Sequence, residues 1–275
     1  MATCFHHSDR ETGRACTRCG RPACPECLIQ ASVGSQCWEC VRAGAPPRTA
    51  QARRFLASEK LLVTKSIVAI TVVAYIYGLT TATIPGTGIR EWEFDMSLLG
   101  PLVANGENYR LLTHSLVHFS LIHIGFNMLI LYQVGMLLEP AAGRTRFLLL
   151  YIVSILGGAA GALLLSPESL TGGASGGVFG VAAAATLTMY RYGQRFSQTA
   201  FGPLLVINLA LGFFISNVSV GGHIGGLIAG TVATEAMLQA RKVGRPYLGI
   251  VGAIAVGIVS IAIALAAADS SSLTG

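Results

Sequence analysis

Three groups of side chains in this 275-residue sequence have the types and spacing that chemistry needs. The first is Thr171-Gly-Gly-Ala-Ser-Gly-Gly177, where Ser175 stands among glycines at the mouth of an apolar stretch. A serine hydroxyl is a poor nucleophile until a base takes its proton, so Ser175 needs an imidazole within reach. The second group, Gly222-His-Ile-Gly-Gly226, supplies one in His223, again where an apolar stretch begins. The third is His114, His118, His123 and Asn127. His123 and Asn127 are four residues apart and share a helix face. With the Ser175 backbone N–H they could stabilise the oxyanion that forms on an attacked carbonyl. His118 lies five residues before His123 and is expected to point elsewhere. It and His114 are expected to be buried histidines satisfied by backbone or side-chain partners.

The acids are badly placed for a triad. Glu139 and Glu235 fall near the far ends of their stretches, and no carboxylate lies close to His223. The pattern therefore predicts a dyad of Ser175 as nucleophile and His223 as general base. A metal or haem site among the histidines is disfavoured: there is no His-Glu-x-x-His, and it would leave the Gly-Ala-Ser-Gly run without a role.

A fourth group lies apart from these. All seven cysteines precede residue 41, as Cys16-x-x-Cys19, Cys24-x-x-Cys27 and Cys37-x-x-Cys40, with Cys4 spaced as Cys-x-x-His to His7. Four ligand pairs make eight ligands, enough for two tetrahedral Zn²⁺ sites, whereas an odd cysteine count suits a closed disulfide framework poorly. A cross-brace (Cys4, His7, Cys24, Cys27 against Cys16, Cys19, Cys37, Cys40) is favoured over sequential pairing only because its short pairs interleave.

The elements that must position these groups follow from apolarity. The chain is 52% hydrophobic and 12% charged, with long apolar runs from about residue 61 onward, which marks an all-α polytopic membrane protein. Seven spans are expected, at about 63–83, 111–138, 146–165, 175–191, 200–216, 223–240 and 247–268. The domain reading is a zinc-binding module over 1–42, a linker over 43–60, the membrane domain over 61–268 and a tail over 269–275. The segment 84–110 is expected to be structured or interfacial, with Trp92 and Phe94 as anchors. No cleavable signal peptide is expected, because the first sixty residues are polar and cysteine-rich.

The net charge of +6 does not point to nucleic acid, since its distribution follows the spans. Ten of nineteen Lys and Arg lie in residues 1–65, and Arg144, Arg146, Arg191, Arg195, Arg241, Lys242 and Arg245 follow spans two, four and six. Only Arg90 and Arg110 fall on the other side. The positive-inside rule predicts a cytoplasmic N-terminus and an outer C-terminus. It also puts the cysteines in a reducing compartment, where zinc is preferred to disulfides.

Gly173-Ala-Ser-Gly176, Gly222-His-Ile-Gly-Gly226 and the segment from His118 through Ser120, His123 and Asn127 resemble the rhomboid intramembrane serine proteases. The resemblance covers about residues 61–268. It implies a six-helix core, here with a seventh C-terminal helix, and cleavage of transmembrane protein substrates near their outer ends. By motif position it implies Ser175 as nucleophile, His223 as base, and His123 with Asn127 as oxyanion donors. Arg110 takes the place of the arginine in the family's Trp-Arg pair. Two positions depart from the pattern: Tyr109 replaces the tryptophan, and Phe179 stands where many members carry a tyrosine that stacks on the histidine. The N-terminal module resembles the zinc-ribbon or B-box-like domains fused to some bacterial rhomboids, a resemblance that says little about its ligand; the module is expected to recruit or regulate rather than catalyse, with a cytoplasmic protein as partner. A non-catalytic scaffold that binds transmembrane helices is the competing reading. A transporter would need an internal repeat and polar groups in both membrane halves, and neither is evident.

Overall fold

The computed structural model describes residues 2–31, 34–44, 59–195 and 219–272, together with Phe201, Pro203 and Val206. The chain forms two compact units, Met1–Glu59 and Lys60–Gly275. Most of the expected linker and of the span at 200–216 lies outside the described residues.

The first unit pairs β1 (Ala2–Thr3) with β2 (Glu11–Thr12) and β3 (Leu28–Gln30) with β4 (Ser35–Cys37), both antiparallel, before α1 (Trp38–Gly44). Its centre is almost free of aliphatic side chains: Cys4, Ala23, Cys24 and Cys27 are its buried cluster. So little apolar area cannot offset the entropy of ordering some forty residues.

The second unit is helical. It comprises α2 (Leu62–Gly78), short α3 (Glu91–Met96), α4 (Gly100–Ala104) and α5 (Arg110–Thr113), then α6 (Leu121–Ala142) and α7 (Arg144–Leu165). These lead to α8 (Ser175–Arg191), α9 (Val220–Lys242) and α10 (Pro246–Ser272). By length and apolarity alone α6, α7 and α10 can cross a membrane, and α2 is a shorter apolar helix. The described helices coincide with the expected spans, with one correction. The run at 111–138 is not a single helix: after α5 come a 3₁₀ turn at His114–Leu116 and an extended Val117, and α6 starts only at Leu121. Ser120 is the reason. Its backbone is extended and its hydroxyl accepts from the His123 N–H at 3.2 Å, capping α6. His114 and His118 therefore lie on the approach to this helix, not on it. The segment 84–110 is folded, as expected, through α3 and α4.

Helix α7 runs through the middle of the bundle, packed against α8, α9 and α10. Glycine lets α7, α8 and α9 touch backbone to backbone. A Cβ on Gly226 would strike the Gly176 carbonyl, and one on Gly230 would lie 2.5 Å from Gly180 Cα. A Cβ on Gly158 would lie 3.1 Å from both Gly176 Cα and the Gly222 carbonyl. The four-residue glycine spacing on α9 thus serves close packing, as small-xxx-small faces do in membranes. Hydroxyls of Ser154, Thr188, Thr234 and Ser260 donate to carbonyls four residues back, so they carry no unpaired group into lipid.

Candidate active site and metal centres

The first turns of α6, α8 and α9 meet at one small cavity of about 30 Å³, room for about two waters. Ser175 and His223 both line it, as do His114, His123, Gly173 and Ser219. Ser175 is the first residue of α8 and His223 the fourth of α9, so each side chain lies in the first turn of its helix, at the end that carries partial positive charge. Such an environment favours an anion in the cavity.

His223 is 7% exposed and held from two sides. Ser219 caps α9 by accepting from the Gly222 N–H at 3.0 Å, which fixes the turn that carries the histidine. The Phe179 ring lies against the imidazole, centroids 4.2 Å apart and planes at 16°. The departure from tyrosine keeps the stack and loses only the hydroxyl. His223 Nδ1 is buried and has no hydrogen-bond partner among the described residues. Among the described residues no carboxylate is hydrogen-bonded to the ring. No direct hydrogen bond joins Ser175 to His223 among the described residues; they share the cavity and not yet a proton.

Gly173 brings the third group in. Its φ of +139° suits glycine alone. A Cβ there would lie 2.9 Å from His123 Nε2 and 3.6 Å from Ser175 Oγ. His123 and Ser175 therefore face the same point. Asn127 is buried, and its amide donates to the His123 carbonyl at 2.9 Å; it braces the turn that carries His123 and is not among the cavity's lining residues.

His118 corrects the expectation that it points elsewhere. Its ring lies 4.8 Å from that of His123, and its Nε2 accepts from the Ala174 N–H at 3.4 Å. The backbone partners expected of both histidines are present: His118 Nδ1 meets the Leu116 carbonyl at 3.3 Å, and His114 Nδ1 meets the Arg110 carbonyl at 2.9 Å. The helical periodicity that separated 118 from 123 does not hold across the Ser120 cap, and Ser-x-x-His was the signal for that cap.

The loop 84–110 reaches the site through its backbone. Leu98 and Thr171 exchange two hydrogen bonds at 2.8 and 2.9 Å, four residues before Ser175. Arg110 holds that loop from inside: it is buried, pairs with Glu107, and donates to the carbonyls of Phe94 and Ser97 at 2.7 and 2.6 Å. Tyr109, in place of tryptophan, donates to Glu107 at 2.7 Å. The Tyr109 hydroxyl and then the Arg110 guanidinium hold the Glu107 carboxyl below its ordinary range.

Residues 105–240 match the family model of the Rhomboid domain. The chain belongs to the rhomboid family. This rhomboid is 38% identical over 139 residues to Rhomboid protease GluP of Bacillus subtilis (strain 168), covering 50% of this chain and 27% of that protein. It is 32% identical over 153 residues to Inactive rhomboid-related protein 2 of Caenorhabditis elegans, covering 51% and 44%. It is 31% identical over 160 residues to RHOMBOID-like protein 2 of Arabidopsis thaliana, covering 56% and 48%. The chain thus spans less than half the length of each of these relatives. One of these relatives is named a protease and another inactive. Rhomboids are multi-pass membrane proteins, in keeping with the apolar helices here.

The cysteines form two further sites, well away in sequence. Ligand atoms of Cys4, His7, Cys24 and Cys27 lie within 4.8 Å of one another, and so do those of Cys16, Cys19, Cys37 and Cys40. This is the cross-brace arrangement. A tetrahedral ion bound to sulfur at about 2.3 Å sets its ligand atoms roughly 3.8 Å apart. Cys19 and Cys37 Sγ are 3.8 Å apart, and His7 Nδ1 lies 3.8, 3.4 and 3.3 Å from the sulfurs of Cys4, Cys24 and Cys27. Both clusters fit a metal ion. The Cys37 N–H, donating to Cys16 Sγ at 3.2 Å, leads the contacts that hold that thiol down at about 6, in the thiolate form that binds metal.

Proposed function

We propose that this rhomboid is an intramembrane serine endopeptidase that hydrolyses peptide bonds in or near transmembrane segments of membrane-protein substrates. The observation that carries the reading is the shared cavity of Ser175 and His223, at the first turns of two helices that glycines bring into backbone contact. His223 takes the Ser175 hydroxyl proton as Oγ attacks the scissile carbonyl carbon, and apo enzymes often close that hydrogen bond only with substrate in place. The resulting oxyanion is met by the Ser175 N–H and by His123, with Asn127 holding the His123 turn. The tetrahedral species collapses to an ester on Ser175 as His223 passes the proton to the leaving amine. Water, deprotonated by His223, then attacks the ester and restores the serine.

Cleavage of a transmembrane reporter by purified protein in detergent tests this. Ser175→Ala and His223→Ala should each reduce it to background with expression unchanged. Cleavage that persists in clean Ser175→Ala protein overturns the assignment.

The relative named inactive favours one second reading, a scaffold that binds transmembrane helices without cutting them. Failure of a fluorophosphonate probe to label Ser175 in folded protein would support it.

The metal of the N-terminal clusters is Zn²⁺, because Cys3His and Cys4 tetrahedra suit it best. Bound there, it supplies folding energy to a unit without an aliphatic core. The module serves to recruit or regulate through a cytoplasmic protein. The distribution of Lys and Arg sets the N-terminus in the cytoplasm and the cavity towards the outer face. An impermeant maleimide should then spare the cysteines in intact cells and react after lysis and chelation. Labelling of intact cells would invert the topology.

A further inference from the structure

Two backbone N–H groups just before Ser175 are both held by the approach to α6. Gly173 N–H donates to the His114 carbonyl at 2.8 Å, and Ala174 N–H donates to His118 Nε2 at 3.4 Å. Ala174 is the N-cap residue of α8 and has no side chain with which to cap it. His118 is 1% exposed and Ala174 fully buried, so the bond between them is made away from solvent. Both ring nitrogens are engaged: with its proton on Nδ1 directed at the Leu116 carbonyl, Nε2 is left as an acceptor. The ring also packs at 60° against His123.

We infer that His118 is a positioning residue for the proposed hydrolysis: it fixes the Ala174–Ser175 peptide from one side and the His123 ring from the other. The inference rests on the protease reading. The geometry gives the reason. With the N–H groups of 173 and 174 tied back, Ser175 N–H is the first donor free to serve an oxyanion. If Ala174 N–H loses its acceptor, it is a buried orphan whose peptide plane gains by rotating towards the cavity, carrying the serine with it. An oxyanion donor displaced by a fraction of an ångström weakens the transition state more than the substrate complex.

The test uses full-length protein in detergent with wild type as control. His118→Met preserves volume and removes the acceptor. His118→Gln can return an oxygen near the Nε2 position. His118→Met should lower kcat for the reporter about tenfold or more with KM within about twofold, and slow fluorophosphonate labelling of Ser175 in parallel. His118→Gln should recover most of both rates. Thermal midpoints of the two variants should match each other, which separates positioning from mere stability. Wild-type rates in His118→Met overturn the inference. So does a loss shared equally by Gln and Met that tracks a lowered midpoint. A wild-type protein that neither cleaves nor labels instead overturns the protease reading itself.

Discussion

His223 illustrates how few contacts fix a catalytic-type histidine in a membrane. Its ring has the Phe179 face on one side, the Ser219-capped turn beneath it, and, among the described residues, no hydrogen-bond partner at Nδ1. Stacking is worth about 0.5–1.5 kcal/mol beyond burial, so Phe179→Leu should lower kcat roughly two- to tenfold at an almost unchanged KM. Phe179→Tyr should hold or raise it, and reporter kinetics on the purified variants decide the point. An unaltered kcat in the leucine variant would mean that the α9 turn orients the imidazole unaided. At this scale much was legible. Ser175 and His223 were readable because each sits in a local glycine-rich motif whose neighbours in sequence are its neighbours in space. The relation of His118 to Ala174 was not, because it joins residues 56 apart through one backbone N–H. Glu139 was equally opaque: it reads as an acid at a helix end, yet it caps α2 by accepting from Val63 N and Thr64 N, both at 2.8 Å.

Among the elements, α9 has the narrowest tolerance. Its two glycine series face different neighbours, with Gly221 and Gly225 against Gly161 and Gly157 of α7, and Gly226 and Gly230 against Gly176 and Gly180 of α8. The sequence displayed the second series and its spacing. The role of α7 as the helix that both others lean on was hidden, because its Gly157, Gly158 and Gly161 read as ordinary members of an apolar span. Backbone cannot move aside as a flexible side chain can, so Gly226→Val should separate α8 from α9. The expected outcome is poor yield in detergent, and in whatever protein folds, loss of Ser175 labelling. Gly125→Ala, on a face of α6 with nothing within 4 Å, is the matched control and should leave yield and labelling intact. Equal behaviour of the two variants would remove close α8–α9 contact as the condition for activity. At the opposite end the same two helices are joined by the ion pair of Arg191 and Glu235. That exposed pair adds little energy by itself.

On the scale of the whole molecule, two units with different sources of stability share one chain. The membrane unit is held by helix packing in lipid, and the N-terminal unit by its clusters of sulfur and imidazole. In the cross-brace the ligand order along the chain alternates between sites, from Cys4 and His7 to Cys16 and Cys19, then Cys24 and Cys27, then Cys37 and Cys40. Each site therefore closes a loop that passes through the other, and neither half of the unit can fold around one ion alone. Sequential pairing would make the sites independent. The two cases separate in a single variant: purified Cys37→Ser protein should lose well over one equivalent of zinc from an initial two, since the intact Cys4, His7, Cys24 and Cys27 set loses its frame as well. Retention of one full equivalent, with that half still protected from proteolysis, would show the sites to be uncoupled. Chelation of the wild-type protein should likewise expose the N-terminal unit to protease. Fluorophosphonate labelling of Ser175 should continue at its former rate, because no ligand of either metal lies among the residues that form the cavity.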